Sequence, residues 1–361
     1  MGEEGAVQGT ENRDGQPAAV EVENLTRRFG ATEAVRGISF TVRQGEIFGL
    51  LGPNGAGKTT TIKILLSLLP PTSGTARILG MDVTREPARV RERIGWVPQE
   101  TAVDPLLTGR ENLLLAAGMY HLAPAEAARR VEELLALVEL DGAADRVARE
   151  YSGGMRKRLD LAMGLVHRPA VLFLDEPTLG LDIQTRRRLW RYIESFRQLG
   201  TTIVLTTHYL EEADRLCDRV AIIDRGRIRA LDTPERLKAR YAGETLRLRL
   251  AGGTAAGAAE GLARALAAAP EVLEVRRPAR GGDGVPAGAE EPAAGAAGGE
   301  GEEWWLRVTG HVAALRRVLD AAERAGVVLE GVEPGRATLD DVFLAVTGQS
   351  LREREEAEAG A

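Results

Sequence analysis

Residues 52–60 read Gly52-Pro53-Asn54-Gly55-Ala56-Gly57-Lys58-Thr59-Thr60, a run that fits G-x-x-x-x-G-K-[ST]. Its flanks decide how it is read. The apolar stretch 47–51 runs into it and a helical stretch over 60–69 runs out, the strand–loop–helix setting that a phosphate-binding loop requires. The glycines let backbone N–H groups converge on phosphate oxygens. The following helix start adds partial positive charge. Lys58 places a full charge on the β/γ-phosphates, and Thr59 offers a hydroxyl to Mg²⁺. A plain glycine-rich turn needs neither residue.

Outward from this loop, the chain alternates strand and helix. Residues 20–25, 38–42 and 47–51 read as strands. Residues 105–168 carry helical spacing, as in Val131, Leu134, Leu135 and Val138. Short apolar strands return at 171–174, 202–207 and 220–224, with a helix over 184–198 between the first two. Their apolar runs are nearly continuous, as in parallel strands covered on both faces. The expectation is an α/β domain over 20–240 with a mixed sheet core and a helical subdomain at 105–168.

After residue 241 the composition shifts to Ala and Gly. Strands are expected at 245–250, 272–276, 304–308 and 327–332, and helices at 260–269, 311–325 and from Leu339, where Thr338 and Asp341 have the spacing of a capping box. This is a small α+β domain over 244–348. Trp304 and Trp305 are adjacent, so in a strand they face opposite ways. The Gly/Pro/Ala/Glu-rich stretch 278–303 reads as a flexible loop, and 1–19 and 349–361 read as tails.

The bulk numbers exclude several classes. A chain of 361 residues with 44% apolar content has room for two domains with real cores. The formal net charge of −6 offers no basic face for nucleic acid. The densest basic run, Arg186, Arg187, Arg188 and Arg191, lies on an expected helix among acids and reads as a solvated, ion-paired face. Cys217 is the sole cysteine, so no internal disulfide forms and a reducing compartment fits. No signal peptide is read at the head of the chain, and no run of about 18 apolar residues occurs that would span a membrane.

Two further segments carry chemistry. The strand at 171–174 ends in Asp175-Glu176-Pro177. A carboxylate at that strand end can hold Mg²⁺, and its neighbour can orient and deprotonate an attacking water. Tyr151-Ser152-Gly153-Gly154-Met155 precedes a helix over 156–166 and forms a second anion cradle. One nucleotide does not need two such helix starts, which assigns the second to a neighbour's nucleotide.

The order of phosphate loop, Gln99, residues 151–155, 172–177, Gly180-Leu181-Asp182 and His208 resembles the nucleotide-binding domain of an ABC transporter over residues 20–240. The resemblance implies ATP and Mg²⁺ as ligands, with Phe29 stacking on adenine. It implies Thr59, Gln99 and Asp175 around Mg²⁺, and Glu176, His208 and Gln99 in hydrolysis. Ser152, Gly153 and Gly154 would grip ATP across a head-to-tail dimer, and Asp182 would communicate between the two sites. Tyr151, Met155 and Leu179 depart from the common family pattern. The Tyr151–Met155 variant followed by Arg156-Lys157-Arg158-Leu159-Asp160-Leu161, the run Thr206-Thr207-His208-Tyr209-Leu210-Glu211-Glu212-Ala213-Asp214 and the C-terminal Leu339-Asp340-Asp341-Val342-Phe343-Leu344-Ala345-Val346-Thr347-Gly348 together resemble daunorubicin-resistance-type ATPases of ABC-2 exporters. That group implies a separately encoded membrane permease, a homodimer or a pair with a related ATPase, and the cytoplasmic face of a bacterial membrane. The alternative is a soluble ABC ATPase acting on ribosomes or DNA. One phosphate loop, the absence of a heptad run and the acidic balance oppose it.

Overall fold

The computed structural model describes residues 18–277, 302–335 and 337–349. Residues 1–17 of the expected first tail, 278–301 of the expected loop and 350–361 of the expected last tail lie outside the described residues. The chain divides into two compact units at Thr233/Pro234.

The first unit opens with a long hairpin, β1 (Ala18–Phe29) and β2 (Thr32–Arg43), followed by β3 (Ile47–Leu51) and α1 (Lys58–Leu65). Next come β4 (Ser73–Ile78), β5 (Met81–Asp82), α2 (Pro87–Arg93) and β6 (Ile94–Val97). A helical stretch carries α3 (Gly109–Met119), α4 (Pro124–Leu137) and α5 (Gly153–Gly164). The unit closes with β7 (Val171–Asp175), α6 (Ile183–Gln198), β8 (Thr202–Thr207), α7 (Leu210–Leu216), β9 (Arg219–Asp224) and β10 (Arg227–Asp232). Ala18 and Ala19 already belong to β1. Ala19 is fully buried and its carbonyl accepts from Leu79 N, so the ordered hairpin starts before the sequence pattern shows it.

Two sheets result. The first has order β2-β1-β4-β5 and is antiparallel. The second has order β10-β9-β3-β8-β7-β6, parallel except for its edge strand β10. Every residue of β3, β7 and β8 is buried, which explains their unbroken apolar runs. The core joins side chains of both sheets, among them Val22, Phe40, Phe48, Phe173 and Val204, with Ile62 of α1. The Phe40 and Phe48 rings stack at 5.2 Å. Because β3, β8 and β7 are parallel neighbours, whatever follows their C-terminal ends converges on one edge of the sheet.

The second unit begins with α8 (Pro234–Leu237) and a π-helical turn at Lys238–Ala242. Then follow β11 (Glu244–Leu250), α9 (Ala256–Ala267), β12 (Val272–Arg276), β13 (Glu303–Val308), α10 (His311–Ala325), β14 (Leu329–Gly335) and α11 (Leu339–Thr347). The order β12-β13-β11-β14, antiparallel throughout, makes a βαββαβ unit of the split-βαβ kind. Its core sets Leu246, Leu248, Trp304 and Leu306 against Leu262, Leu266 and Val318. Trp304 is fully buried, while Trp305 is only half-buried and pairs across from Arg247 on the opposite face. That face is an ion-pair lattice: Arg247 with Glu303 and Glu333, and Arg307 with Glu274. The last strand runs past the expected 327–332 through Pro334, which an edge strand tolerates. At α11 both hydrogen bonds of the Thr338/Asp341 capping box are present.

Candidate nucleotide site

The 52–60 loop leaves β3 and enters α1 at Lys58. Two of its glycines are dictated by space. A Cβ on Gly52 would stand 2.1 Å from the Ile223 carbonyl oxygen. Gly57, with φ +104°, occupies the left-handed region, and a Cβ there would stand 2.5 Å from the Ala34 carbonyl oxygen. Gly52→Ala is therefore expected to destabilise the protein by about 2 kcal/mol through forced displacement of the loop or of β9. Thermal unfolding of the purified variant reads this directly. An unchanged midpoint would contradict the close approach.

Lys58 is buried under this loop. Its ammonium donates to the carbonyls of Gly52 at 2.7 Å and Pro53 at 3.0 Å, and pairs with Glu176 Oε1 at 3.2 Å. The next residue, Thr59, donates from Oγ1 to Asp175 Oδ1 at 3.3 Å. Asp175 ends β7, and its Oδ1 also accepts from Thr206 Oγ1 at 2.6 Å. Glu176 follows in the left-handed region with φ +47°. Its backbone N–H donates to Thr206 Oγ1 at 3.0 Å. Its Oε2 lies 3.3 Å from His208 Nδ1, one residue beyond the end of β8. The C-terminal ends of three neighbouring strands thus supply the lysine, both acids and the histidine. Burial pushes the Glu176 carboxyl up, but His208 beside it and the Lys58 charge outweigh it and hold the pKa below the usual value. Glu176 is thereby kept as a carboxylate able to accept a proton.

Lys58, Thr59 and Glu176 open on a cleft of about 430 Å³ lined by residues 53–60 together with Phe29, Ala34, Gln99 and Glu176, while Asp175 and His208 stand behind that lining. Phe29 stands at the end of β1, 46% exposed, with the Arg27 guanidinium 4.6 Å from its ring centroid. An exposed aromatic face at the mouth of a phosphate-binding cleft suits a purine ring. Gln99 follows β6, and its segment is held by α5: Lys157 Nζ donates to Pro98 O at 2.9 Å and Asp160 Oδ1 accepts from Ala102 N at 2.9 Å.

Ser152, Gly153, Gly154 and Asp182 do not line this cleft. Ser152 caps α5, its Oγ accepting from Met155 N at 3.2 Å, and Gly153 faces open space. Asp182 caps α6 through Thr185, and a Cβ on Gly154 would stand 2.7 Å from Thr185 Cγ2. The second cradle and Asp182 therefore neighbour each other through Thr185. Tyr151, the departure at the head of that motif, is buried and donates its hydroxyl to Ala143 O at 2.6 Å. A Cβ on Gly109 would meet that hydroxyl at 2.3 Å, so the tyrosine and the glycine are matched.

Two residues of the site have no role assigned from the sequence. Thr206 bridges Asp175 and the Glu176 backbone, and nothing local separates its hydroxyl from those of Thr202 and Thr207 in the same buried strand. Ala34 lines the cleft from β2, a place no local pattern marks.

A lysine-bearing glycine loop facing a buried carboxylate across parallel strand ends is the arrangement of a P-loop ATPase. The ABC transporter family matches residues 35–179. A daunorubicin resistance ATP-binding protein, DrrA2 of Streptomyces coeruleorubidus, is 41% identical over 345 residues, covering 94% of this chain and 98% of that one. The doxorubicin resistance ATP-binding protein DrrA of Mycobacterium tuberculosis is 48% identical over 229 residues, or 63% of this chain and 69% of that one. Among solved structures, an ATP-binding subunit of an ABC transporter superposes with a TM-score of 0.56 at 31% identity, covering 62% of this chain and 93% of that one. A dimeric ATP-binding cassette holding ADP and phosphate superposes at 0.54 and 26% identity, covering 59% and 98%. The chain belongs to the ABC transporter ATP-binding proteins, in the daunorubicin-resistance group, and is an ATPase.

Proposed function

We propose that this chain is the motor subunit of an ABC-type exporter of a drug, antibiotic or lipid-like substrate, working as a nucleotide-sandwich dimer beneath a separately encoded permease at the cytoplasmic face of a bacterial membrane. The observation that carries the exporter reading is the match to drug-resistance relatives through both units, not through the ATPase unit alone. The dimer reading is supported by the second cradle, which stands outside the chain's own cleft. No helix among the described residues is long and apolar enough to cross a membrane.

In this reading Lys58 and the loop amides bind the β- and γ-phosphates of ATP, and Phe29 meets the adenine. The Lys58–Glu176 ion pair has a consequence for the cycle. Arriving phosphate replaces Glu176 as the partner of Lys58, and the released carboxylate becomes free to orient and deprotonate water. His208, against the other carboxylate oxygen, fixes the direction in which Glu176 points. The oxygen donors of Thr59, Asp175 and Gln99 are the hard ligands Mg²⁺ prefers, and Thr59 and Asp175 already approach each other. These residues would hold the ion, which supplies neutralising charge on the phosphates. Ser152, Gly153 and Gly154 of a second copy complete the site, and closure follows because those contacts exist only in the closed pair.

The test is capture of tagged Glu176→Gln protein with ATP from solubilised host membranes. A co-purifying polytopic membrane protein without a phosphate loop of its own is expected. Ribosomal proteins or nucleic acid without a membrane protein would favour the soluble ABC class instead.

A further inference from the structure

Helix α7 carries a carboxyl group that the chemistry above leaves unused. Glu212 is 0% exposed, a rare place for an acid. Its Oε1 accepts two hydrogen bonds, from Thr178 Oγ1 at 2.9 Å and from Trp190 Nε1 at 2.9 Å. Its Oε2 has no hydrogen-bond partner among the described residues. The two donors belong to different elements. Thr178 stands two residues after Glu176 in the turn that leaves β7, and Trp190 lies on α6, the helix that Asp182 caps. Glu212 itself stands four residues after His208, in the first turns of α7. Burial raises its pKa against the opposing hydroxyls of Thr207 and Thr178, the Trp190 indole and the Arg186 charge.

The turn held in this way is a strained one. A non-glycine residue in the left-handed region is unfavourable and persists only where its surroundings over-determine it. Glu176, at φ +47°, is fastened on the β8 side by the hydroxyl and carbonyl of Thr206. On the far side, Leu179 N donates to Glu176 O, and the Thr178 hydroxyl is the side-chain fastening. That fastening ends on the element carrying His208.

We infer that Glu212 is a positioning residue for ATP hydrolysis: through Thr178 and Trp190 it ties the strained Glu176 turn and α6 to the segment behind His208, so that base and histidine keep one relative placement. The inference rests on the reading of Glu176 as the base. A buried polar knot that only stabilises α6 and α7 would lower the melting midpoint and leave turnover per folded molecule intact. The two accounts therefore separate in kinetics.

The experiment uses the full chain and measures ATP turnover, nucleotide affinity and thermal midpoint for Glu212→Ala, Glu212→Gln, Thr178→Val and Glu176→Gln. Glu212→Ala is expected to lower kcat about 10- to 100-fold, the range that misplacing a reacting group produces, with ATP affinity changed less than about threefold. Glu212→Gln keeps an acceptor oxygen for Thr178 and Trp190 and is expected to recover most of that loss. Thr178→Val removes only the fastening to the turn, and about a tenfold lower kcat is expected. Should Glu212→Ala fail to fold, Thr178→Val decides. Normal kcat in the folded Thr178→Val and Glu212→Ala proteins, beside an inactive Glu176→Gln, overturns this inference alone. Normal turnover in Glu176→Gln instead overturns the reading of the base on which it stands.

Discussion

Glu176→Gln is expected to lose ATP turnover by about 10²- to 10³-fold, the contribution of a positioned general base, while retaining ATP binding. The amide has the same shape, and the backbone fastening of residue 176 to Thr206 does not involve the side chain. Geometry is therefore kept and basicity is lost. Binding should be as tight as in the unaltered protein, or tighter. The Glu176 carboxylate pairs with Lys58 at 3.2 Å, and phosphate must displace it. A neutral amide competes less for the ammonium. Phosphate release measures turnover, and titration with ATP measures affinity. The proposed sandwich adds a second readout, since a variant that binds without hydrolysing should accumulate as an ATP-dependent dimer on gel filtration. Turnover near the normal rate would remove Glu176 from its role.

The parts of this site that local sequence displays are those held in contiguous runs. The phosphate loop could be read because a strand, a glycine loop and a helix follow one another without interruption. Asp175 and Glu176 could be read because β7 is buried on both faces and its apolar run stops at two acids. The remainder depends on strand neighbourhood. Thr206 reaches Asp175 only because β8 lies beside β7, and Glu212 reaches Thr178 only because α7 folds back behind that pair. Neither contact has a spacing rule. The β1–β2 hairpin was underestimated for a different reason: several register shifts interrupt its alternation, so the period-two pattern breaks before the strands end. β4 and β10 bury only a few of their residues and leave weak apolar signals. In the second unit β11 shows by its alternation, whereas the order β12-β13-β11-β14 does not, because sheet order is set by how the two crossover helices pack.

Lys58→Ala should show the other large effect. Removing a charged donor to phosphate forfeits about 1.5–3 kcal/mol, which is roughly 10- to 150-fold in ATP affinity. The substitution also acts before any nucleotide arrives. Lys58 and Glu176 are 4% and 7% exposed, so loss of the ammonium leaves a buried carboxylate supported mainly by His208. Breaking one side of a buried pair typically destabilises by about 3–5 kcal/mol. The pKa argument has the same sign. Burial already pushes Glu176 up, and taking away the Lys58 charge leaves only part of the opposing pull. Lys58→Ala should therefore lower the thermal midpoint as well as ATP affinity, and the two effects can be separated. In the double variant Lys58→Ala/Glu176→Gln the uncompensated charge is gone, so most of the lost midpoint should return while ATP binding stays weak. If ATP binding returned together with the midpoint, Lys58 would be serving the architecture of the loop and not the phosphates. If the single variant bound ATP normally, its place in the phosphate site would fail outright.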